Sequence, residues 1–207
     1  MKINEIFFSV EGEGKRSGQL AAFVRLTGCN LRCSYCDTRY SFVDGHEMTA
    51  EKISDAVKNY RNVTLTGGEP LLQDCRELLT RLRSHEVNIE TNGSIELAEY
   101  LQYPNVFFTM DFKCHSSGAT AATNYDNLKI LREEDVLKFV VGDEADLEQA
   151  QEICTEFKPK SIIYISPVFG KIEPLKIVDF MKRYHKERWS LQIQLHKIIW
   201  SPDERGV

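Results

Sequence analysis

Three cysteines lie within eight residues of one another, in the run Cys29-Asn30-Leu31-Arg32-Cys33-Ser34-Tyr35-Cys36. Thiolates at this spacing are typical ligands of an iron–sulfur cluster or of zinc. Three thiolates hold three irons of a cubane cluster and leave the fourth iron open for chemistry. A structural zinc site needs four closed ligands, and Cys114 or His46 would have to supply the fourth without a second Cys-x2-Cys pair. The spacing therefore favours a cluster, with a zinc-stabilised binding module as the alternative.

Length and charge narrow the class of protein. The 207 residues suit a single domain over 1–207 and are fewer than the roughly 250 of an eight-stranded α/β barrel. The formal net charge of -5 argues against nucleic-acid and membrane surfaces, so we expect a small-molecule substrate. We find no signal peptide or transmembrane segment, and most of the six cysteines should be thiols or metal ligands, so we expect a cytoplasmic protein.

Strand patterns alternate with helical patterns through most of the chain. Predicted helices lie at 50–60, 74–85, 95–103, 125–132, 143–157 and 174–188, and predicted strands at 2–10, 20–27, 63–66, 87–90, 106–111, 136–141, 161–166 and 191–195. Repeated strand–helix units of this length are typical of a parallel α/β sheet. With about six units, fewer than the eight of a closed barrel, we expect a partial (β/α)6-like barrel with outer helices.

Polar side chains follow nearly every predicted parallel strand at its carboxyl end. They lie at 29–38, 66–69, 90–93, 111–114 and 166–169 and at His196. The carboxyl ends of parallel strands meet at one edge of a barrel, and active sites form there. We therefore expect these segments to share one site.

Three short stretches near the amino terminus carry charges that need partners. Arg25 interrupts the apolar strand at 20–27, and a buried cation is costly unless it meets an anion. That anion is either a core carboxylate such as Glu13 or a substrate carboxylate held bidentately. The Glu11-Gly12-Glu13-Gly14 segment by itself indicates an acidic turn. Asp37-Thr38 is either a turn or a pair of oxygen ligands for Mg²⁺.

The cysteine run, with Tyr35 before its last cysteine, resembles the signature of the radical S-adenosylmethionine (SAM) enzymes. Thr66-Gly67-Gly68-Glu69-Pro70 resembles a second motif of the same superfamily. The resemblance implies that Cys29, Cys33 and Cys36 hold a [4Fe-4S] cluster whose open iron binds SAM. The reduced cluster would cleave SAM to a 5′-deoxyadenosyl radical, while the protein positions and shields the reactants.

The whole chain resembles one family within this superfamily, the 7-carboxy-7-deazaguanine synthases. The matching segments are 8–14, 23–29, 36–38, 66–70, 89–93, 111–113, 116–118, 195–197 and 205–207, in the family's order. A match over nearly the full length is more specific than the cluster motif alone. It implies radical ring contraction of 6-carboxy-5,6,7,8-tetrahydropterin to 7-carboxy-7-deazaguanine, with loss of ammonia, in queuosine or other deazapurine biosynthesis.

The resemblance also assigns roles to individual residues. Those that would line the SAM site are Tyr35, Asp37, Gly68, Asp111, Lys113, Ser166, Pro167, Val168 and Phe169. By their chemistry, Glu69 could also accept from the SAM amino group and Glu90 from the ribose hydroxyls. Those that would hold the pterin are Val10, Glu11, Gly12, Glu13, Arg25, Thr66, His196 and Val207. Thr38 would ligate Mg²⁺. These roles agree with Arg25 as a fork for a carboxylate and with Glu13 as an acceptor for the guanidine-like edge of the pterin.

Three positions depart from the family pattern. Glu11 replaces a usual glutamine and adds a negative charge near the substrate, His115 replaces a frequent proline, and Val207 stands where several members end in proline. We further expect a flavodoxin- or ferredoxin-like electron donor and a homodimer, for which the apolar segment 198–200 offers a surface. The alternative enzyme is a glycyl-radical activase, which shares the cysteine spacing but acts on a protein and has no use for Arg25 as a carboxylate grip.

Overall fold

A computed structural model describes residues 1–202 and 204–207, and its nine strands form one sheet. The strands are β1 (Lys2–Val10), β2 (Leu20–Leu26), β3 (His46–Glu47), β4 (Asn62–Gly67), β5 (Glu86–Thr91), β6 (Val106–Phe112), β7 (Val136–Val141), β8 (Ile162–Pro167) and β9 (Trp189–Leu191). The helices are α1 (Ala50–Val57), α2 (Arg76–Arg81), α3 (Asp126–Ile130), α4 (Glu144–Phe157), α5 (Pro174–Arg183) and α6 (His196–Ile199). In this described part of the chain, every helix is too short or too polar to cross a membrane.

The strand order in the sheet is β3-β1-β2-β4-β5-β6-β7-β8-β9. Strand β1 is antiparallel to both of its neighbours, whereas neighbouring strands from β2 to β9 are parallel. Because β3 and β9 are edges, the barrel is open rather than closed. The predicted partial (β/α)6-like barrel is confirmed, with β1 and β3 as an antiparallel extension at one edge.

Side chains alternate between the two faces of each parallel strand. One face is apolar and packs with the helices: Leu137, Phe139 and Val141 of β7 belong to the same hydrophobic core as Ile153 of α4. The other face points into the barrel and is largely polar. Its residues include Arg25, Thr66, Glu90, Thr109, Asp111 and Lys138. The alternation places the core between sheet and helices and leaves a polar cavity inside the barrel.

The helix predicted over 95–103 is wrong, because this segment forms only a short 3₁₀ turn at Ala98–Tyr100. The Asn127 side chain accepts a hydrogen bond from the Leu97 amide (3.0 Å) and donates one to the Ile95 carbonyl (2.7 Å). These backbone groups are therefore satisfied by a distant side chain instead of by a helix. Four other helices, α1, α2, α3 and α5, are present but at least two residues shorter than predicted.

The strand predicted over 191–195 is also wrong, since β9 stops before most of this range. Gln192 turns instead toward the segment after β1, where its side-chain amide donates to the Gly14 carbonyl (3.0 Å) and accepts from the Gly14 amide (2.8 Å). The Leu195 amide donates to the Gly12 carbonyl (3.0 Å). The segments that follow β1 and β9 are thereby joined, and they place the acidic turn inside the barrel.

Candidate active site

The three cysteines lie on the loop that leaves β2 at the carboxyl edge of the parallel strands. Cys29, Cys33 and Cys36 are free thiols, and all three line a large cavity inside the barrel. Backbone hydrogen bonds join this loop to the segments after β4 and β6, at the Gly28 carbonyl (2.9 Å) and the Ser34 amide (3.0 Å). The tertiary structure thus holds the cysteine loop against two other loops of the same edge.

Gly68 packs directly against the cysteine loop. A Cβ atom at this position would lie 2.3 Å from the Gly28 carbonyl oxygen and 2.5 Å from the Cys29 Cβ. Both distances are far below van der Waals contact, so only glycine fits. The Gly67-Gly68 pair is therefore required by the close approach of two backbones that border the cavity.

The donor set on the loop fits an iron–sulfur cluster. Burial raises the pKa of Cys29 and of Cys33, so both are protonated until a metal displaces the proton. The Leu31 amide donates to Cys29 Sγ (3.4 Å), a contact that suits a thiolate. Among residues 1–202 and 204–207, no three Cys, His, Asp or Glu side chains converge as they do around a single metal ion. A cubane binds each thiolate through a different iron, so its ligands need not converge on one point.

The cavity extends from the thiols past Asp111, near the end of β6. Lys113 Nζ lies 2.9 Å from Asp111 Oδ2. Asp111 Oδ1 is buried and accepts no hydrogen bond from the part of the chain that the structure describes. A buried carboxylate oxygen without a donor is costly unless a ligand supplies one. This oxygen fits the ammonium or hydroxyl donors of SAM.

Most residues predicted for the SAM site do line this cavity: Tyr35, Asp37, Gly68, Glu90, Asp111, Lys113, Val168 and Phe169. Glu69, Ser166 and Pro167 are absent from the cavity wall. The Glu69 carboxylate is fully buried and accepts from the Leu71 amide (3.1 Å), the Thr91 hydroxyl (2.9 Å) and the Asn92 amide (2.7 Å). Glu69 therefore shapes the loop after β5, and the structure does not bring its carboxylate to the cavity.

Thr38 and Asp37 line the cavity beside the cysteine loop. The Thr38 hydroxyl lies 3.7 Å from Cys36 Sγ. The Asp37 carboxylate lies 3.0 Å from Lys197 Nζ. Burial would raise the pKa of Asp37, but Lys197 and then His196 lower it below its ordinary value. Asp37 is therefore ionised and paired within the protein, which leaves Thr38 as the nearer candidate for Mg²⁺.

Glu11 also lines the cavity, and one oxygen of its carboxylate is held in a buried network. Its Oε1 accepts from Arg16 Nη2 (2.7 Å) and from the Thr64 hydroxyl. Arg16 also donates to the Glu86 carbonyl (2.8 Å) at the start of β5. The extra negative charge predicted near the substrate is therefore neutralised inside the protein by a guanidinium from the same loop.

Glu13 faces the cavity with its carboxylate bound at both oxygens. Oε1 accepts from the Ser166 hydroxyl (3.0 Å), and Oε2 accepts from Lys138 Nζ (3.3 Å) and Gln194 Nε2 (3.3 Å). Burial would raise the pKa of Glu13, but Lys138 and then His196 lower it below its ordinary value. The carboxylate is therefore ionised at neutral pH. It keeps lone pairs for further N–H donors, because a carboxylate accepts about four hydrogen bonds.

Arg25 points into the cavity from β2. The alternative that Glu13 is its partner is wrong, because the guanidinium pairs with Glu5. Arg25 Nε lies 2.7 Å from Glu5 Oε1, and the two residues are opposite one another in the β1–β2 register. The Tyr40 hydroxyl donates to the same oxygen (3.0 Å). Within 1–202 and 204–207 the guanidinium makes no other hydrogen bond. Its two Nη groups are therefore left to hold a carboxylate.

The other residues predicted to hold substrate also line the cavity: Val10, Gly12, Thr66, His196 and Val207. His196 begins α6 instead of following a strand. A Cβ on Gly12 would lie 2.2 Å from His196 Nδ1, so glycine allows this helix to approach the acidic turn. Burial lowers the pKa of His196, although Glu13 and Asp37 oppose it, so the imidazole is neutral at pH 7.

Lys138 and Gln194 are among the polar residues of the cavity wall that the sequence analysis missed. Lys138 carries a detectable signal, because it is a charge in the otherwise apolar strand β7, as Arg25 is in β2. Gln194 carries no such signal, since its position depends on where the chain turns after β9. Lys138 is the more informative omission because it contacts Glu13.

Comparison with known proteins identifies the family. The radical SAM superfamily model matches residues 23–117. The 7-carboxy-7-deazaguanine synthase of Clostridium acetobutylicum is 48% identical over 100% of this chain and 99% of that protein. The synthase of Koribacter versatilis is 36% identical over 100% of both. QueE from Escherichia coli, at 23% identity over 93% of each chain, shares the fold with a TM-score of 0.73. The chain belongs to the 7-carboxy-7-deazaguanine synthase family of radical SAM enzymes.

Proposed function

We propose that residues 1–207 act as one domain that converts 6-carboxy-5,6,7,8-tetrahydropterin to 7-carboxy-7-deazaguanine with loss of ammonia, for queuosine or other deazapurine biosynthesis. The composition of one cavity carries the proposal. It combines three thiols, a guanidinium with two uncommitted Nη groups and a buried, ionised carboxylate. These groups match, respectively, a cluster, the carboxylate of the pterin and its guanidine-like edge.

The substrate would be held at both ends. Arg25 would bind the pterin carboxylate through its Nη groups while Glu5 keeps Nε in place. Glu13 would accept hydrogen bonds from the guanidine-like edge, and its contacts with Ser166 and Lys138 keep the carboxylate ionised and oriented. The other pterin contacts would come from Val10, Glu11, Gly12, Thr66, His196 and Val207. Fixing both ends of a rigid ring system restricts its orientation before the reaction begins.

The SAM side would be built from the cysteine loop and the loops beside it. Cys29, Cys33 and Cys36 would hold the [4Fe-4S] cluster, which together with SAM supplies the radical that abstracts hydrogen from the substrate. Asp111 Oδ1, which lacks a donor, would accept a hydrogen bond from SAM. The other SAM contacts would come from Tyr35, Asp37, Gly68, Glu90, Lys113, Val168 and Phe169. Glu69, Ser166 and Pro167 would support these residues from outside the cavity wall.

Further partners belong to the same proposal. Thr38, a hydroxyl ligand beside the cluster loop, would bind Mg²⁺, which prefers oxygen donors. A flavodoxin- or ferredoxin-like protein would deliver electrons to the cluster. Two exposed isoleucines of α6, Ile198 at 66% and Ile199 at 53%, support a homodimer interface. The free thiols support a reducing, cytoplasmic location.

The test is mass spectrometry of an anaerobic reaction that contains reconstituted protein, reductant, SAM, Mg²⁺ and 6-carboxy-5,6,7,8-tetrahydropterin. We expect 7-carboxy-7-deazaguanine from the wild-type protein and none from Cys33→Ala. Cys154→Ala is the matched control, because Cys154 lies on α4 outside the cavity, and it should retain activity. Omitting Mg²⁺ and substituting Thr38→Val should each lower the rate of product formation.

Two results would contradict the proposal in different ways. If SAM is cleaved to 5′-deoxyadenosine while the pterin is untouched, the substrate assignment fails and a protein substrate, as in a glycyl-radical activase, becomes the better hypothesis. If the anaerobically purified protein binds zinc and no iron, the assignment of the cysteine loop fails.

A further inference from the structure

Lys138 occupies an unusual place for a lysine. It lies in the middle of β7, a strand whose six residues are all buried, and only 7% of its surface is exposed. Its Nζ lies 3.3 Å from Glu13 Oε2 and 3.6 Å from Asp111 Oδ2. Burial of an ammonium is costly, and two carboxylates offset that cost here.

The two carboxylates belong to different parts of the site. Asp111 is opposite Lys138 in the β6–β7 register, so the sheet itself holds them together. Glu13 comes from the acidic turn, which no strand of the parallel sheet contains. The ammonium is therefore anchored on the rigid sheet through Asp111 and reaches from there to a carboxylate on a turn.

The contact with Glu13 has consequences beyond packing. Lys138, Glu13 and Asp111 all line the cavity, so ligands bound there meet this charge arrangement directly. The other charged groups near Glu13 are His196 on α6 and, near the ammonium, Glu90 on β5 and Lys113 after β6. Of these groups, Lys138 is the one that donates to the Glu13 carboxylate.

We infer that Lys138 is a positioning residue for the pterin. The Lys138 ammonium keeps the Glu13 carboxylate ionised and aimed at the guanidine-like edge of the pterin. The inference deepens the proposed function and rests on it. The Glu13 and Lys138 pKa values shift in the directions that such a pair requires: burial opposes both charges, yet Lys138 lowers the pKa of Glu13, and Glu13 raises that of Lys138. Without the ammonium, Glu13 would lose the largest of the contributions that lower its pKa, which favours the neutral acid, a poorer acceptor.

The experiment is calorimetric titration of 6-carboxy-5,6,7,8-tetrahydropterin into cluster-loaded, SAM-bound enzyme without reductant, so that binding occurs without turnover. We expect Lys138→Met to weaken binding by about tenfold to a hundredfold, which corresponds to losing a charge-assisted interaction. The loss should grow as the pH falls from about 8 to 6, because a neutral Glu13 becomes more populated in this variant. Lys129→Met, which removes an exposed lysine of α3, is the matched control and should bind like the wild type.

A double-mutant cycle separates positioning from a general structural effect. If Lys138 acts through Glu13, then Lys138→Met in a Glu13→Gln background should weaken binding by no more than about twofold to threefold beyond Glu13→Gln alone. Circular dichroism and iron content establish that each variant is folded and loaded. If Lys138→Met does not fold, Lys138→Gln takes its place with the same expected loss.

The outcomes distinguish this inference from the proposed function. If Lys138→Met binds the pterin as tightly as the wild type at every pH, the inference is overturned and the proposed function is left intact. Losses that multiply in the double variant also overturn it, because Lys138 would then act independently of Glu13. If the wild-type enzyme cleaves SAM but does not bind the pterin, the proposed function itself fails.

Discussion

Glu11 and Glu13 are two residues apart on one acidic turn, yet they belong to regions with different physical roles. Glu11 lines the cavity, and Arg16 and Thr64 bind one oxygen of its carboxylate. Glu13 lies in the cavity wall, where Lys138 and neighbouring polar groups bind it. Both carboxylates border the cavity, but the partner of Glu11 is an arginine outside the cavity wall, whereas the partner of Glu13 is a lysine within it. What distinguishes the two carboxylates is therefore the cation that compensates each charge, more than burial or charge alone.

The buried Arg16 and the half-buried Arg25 differ in the hydrogen bonds that they have left to make. Arg16 is 4% exposed and donates to Glu11, Thr64 and backbone carbonyls. Arg25 donates only through Nε, to Glu5, within the described residues, and its Nη groups face the cavity. Arg16 therefore holds loops and strand ends together, while both Nη groups of Arg25 have no hydrogen bond to the described residues.

The largest effect on stability is expected from Arg16→Met. This change leaves the Glu11 carboxylate buried without its partner and should lower the free energy of unfolding by about 3 to 5 kcal/mol. Arg25→Met should cost less than about 2 kcal/mol, because its partner Glu5 is 25% exposed and can be hydrated. Chemical unfolding of both variants measures the difference. Equal losses of unfolding free energy in the two variants would contradict the distinction between the Arg16–Glu11 pair and the Arg25–Glu5 pair.

Arg25→Met should in turn have the larger effect on substrate binding. Loss of a bidentate guanidinium–carboxylate contact should weaken pterin binding by about a hundredfold. Arg25→Lys should recover only part of this, since an ammonium does not offer the paired N–H geometry of a guanidinium. Anaerobic calorimetry of the SAM-bound enzyme measures both variants. Unchanged affinity in Arg25→Met would mean that Arg25 only pairs with Glu5.

The smallest expected effect, about 1 kcal/mol for each unit of pKa change, is a pH dependence of opposite sign at the two glutamates. For Glu13 the pKa is lowered from 4.5, so its stabilisation is present above pH 4.5 and is lost as the pH falls through the folded-state value. For Glu11, burial and then Glu90 raise the pKa above 4.5, although Arg16 opposes them, so its contribution declines as the pH rises above 4.5.

Unfolding of the wild type, Glu11→Gln and Glu13→Gln at several pH values tests this prediction. The stability advantage of the wild type over Glu13→Gln should increase with pH up to about 4.5. The stability advantage of the wild type over Glu11→Gln should instead decrease as the pH rises above 4.5. Parallel curves for the two variants would show that the two carboxylates share one environment.

Much of the fold and of the candidate site was predictable because the signals are local. The cysteine spacing, the apolar run of β7 and the polar residues after successive strands each occupy only a few positions. Arg25 was recognisable as a buried cation that needs an anion. The same reasoning applies to Lys138, a single charge in the otherwise apolar strand β7.

Other features were not predictable because they depend on contacts between distant segments. The Asn127 side chain removes the hydrogen-bonding groups that a helix over 95–103 would need. Glu5 rather than Glu13 partners Arg25 because the antiparallel register of β1 and β2 places the two residues opposite one another. No local pattern specifies either pairing.

By itself, the sequence determined the cysteine loop, the open α/β barrel and the family, because ligand spacing and residue periodicity are properties of short segments. Only the tertiary structure decided which charges are used up and which remain available. Gln192 and Leu195 draw the acidic turn into the barrel, and Lys138 then meets Glu13 across 125 residues of chain. The physical reason is that the role of a charged side chain depends on the groups that it contacts, and only folding brings those groups together.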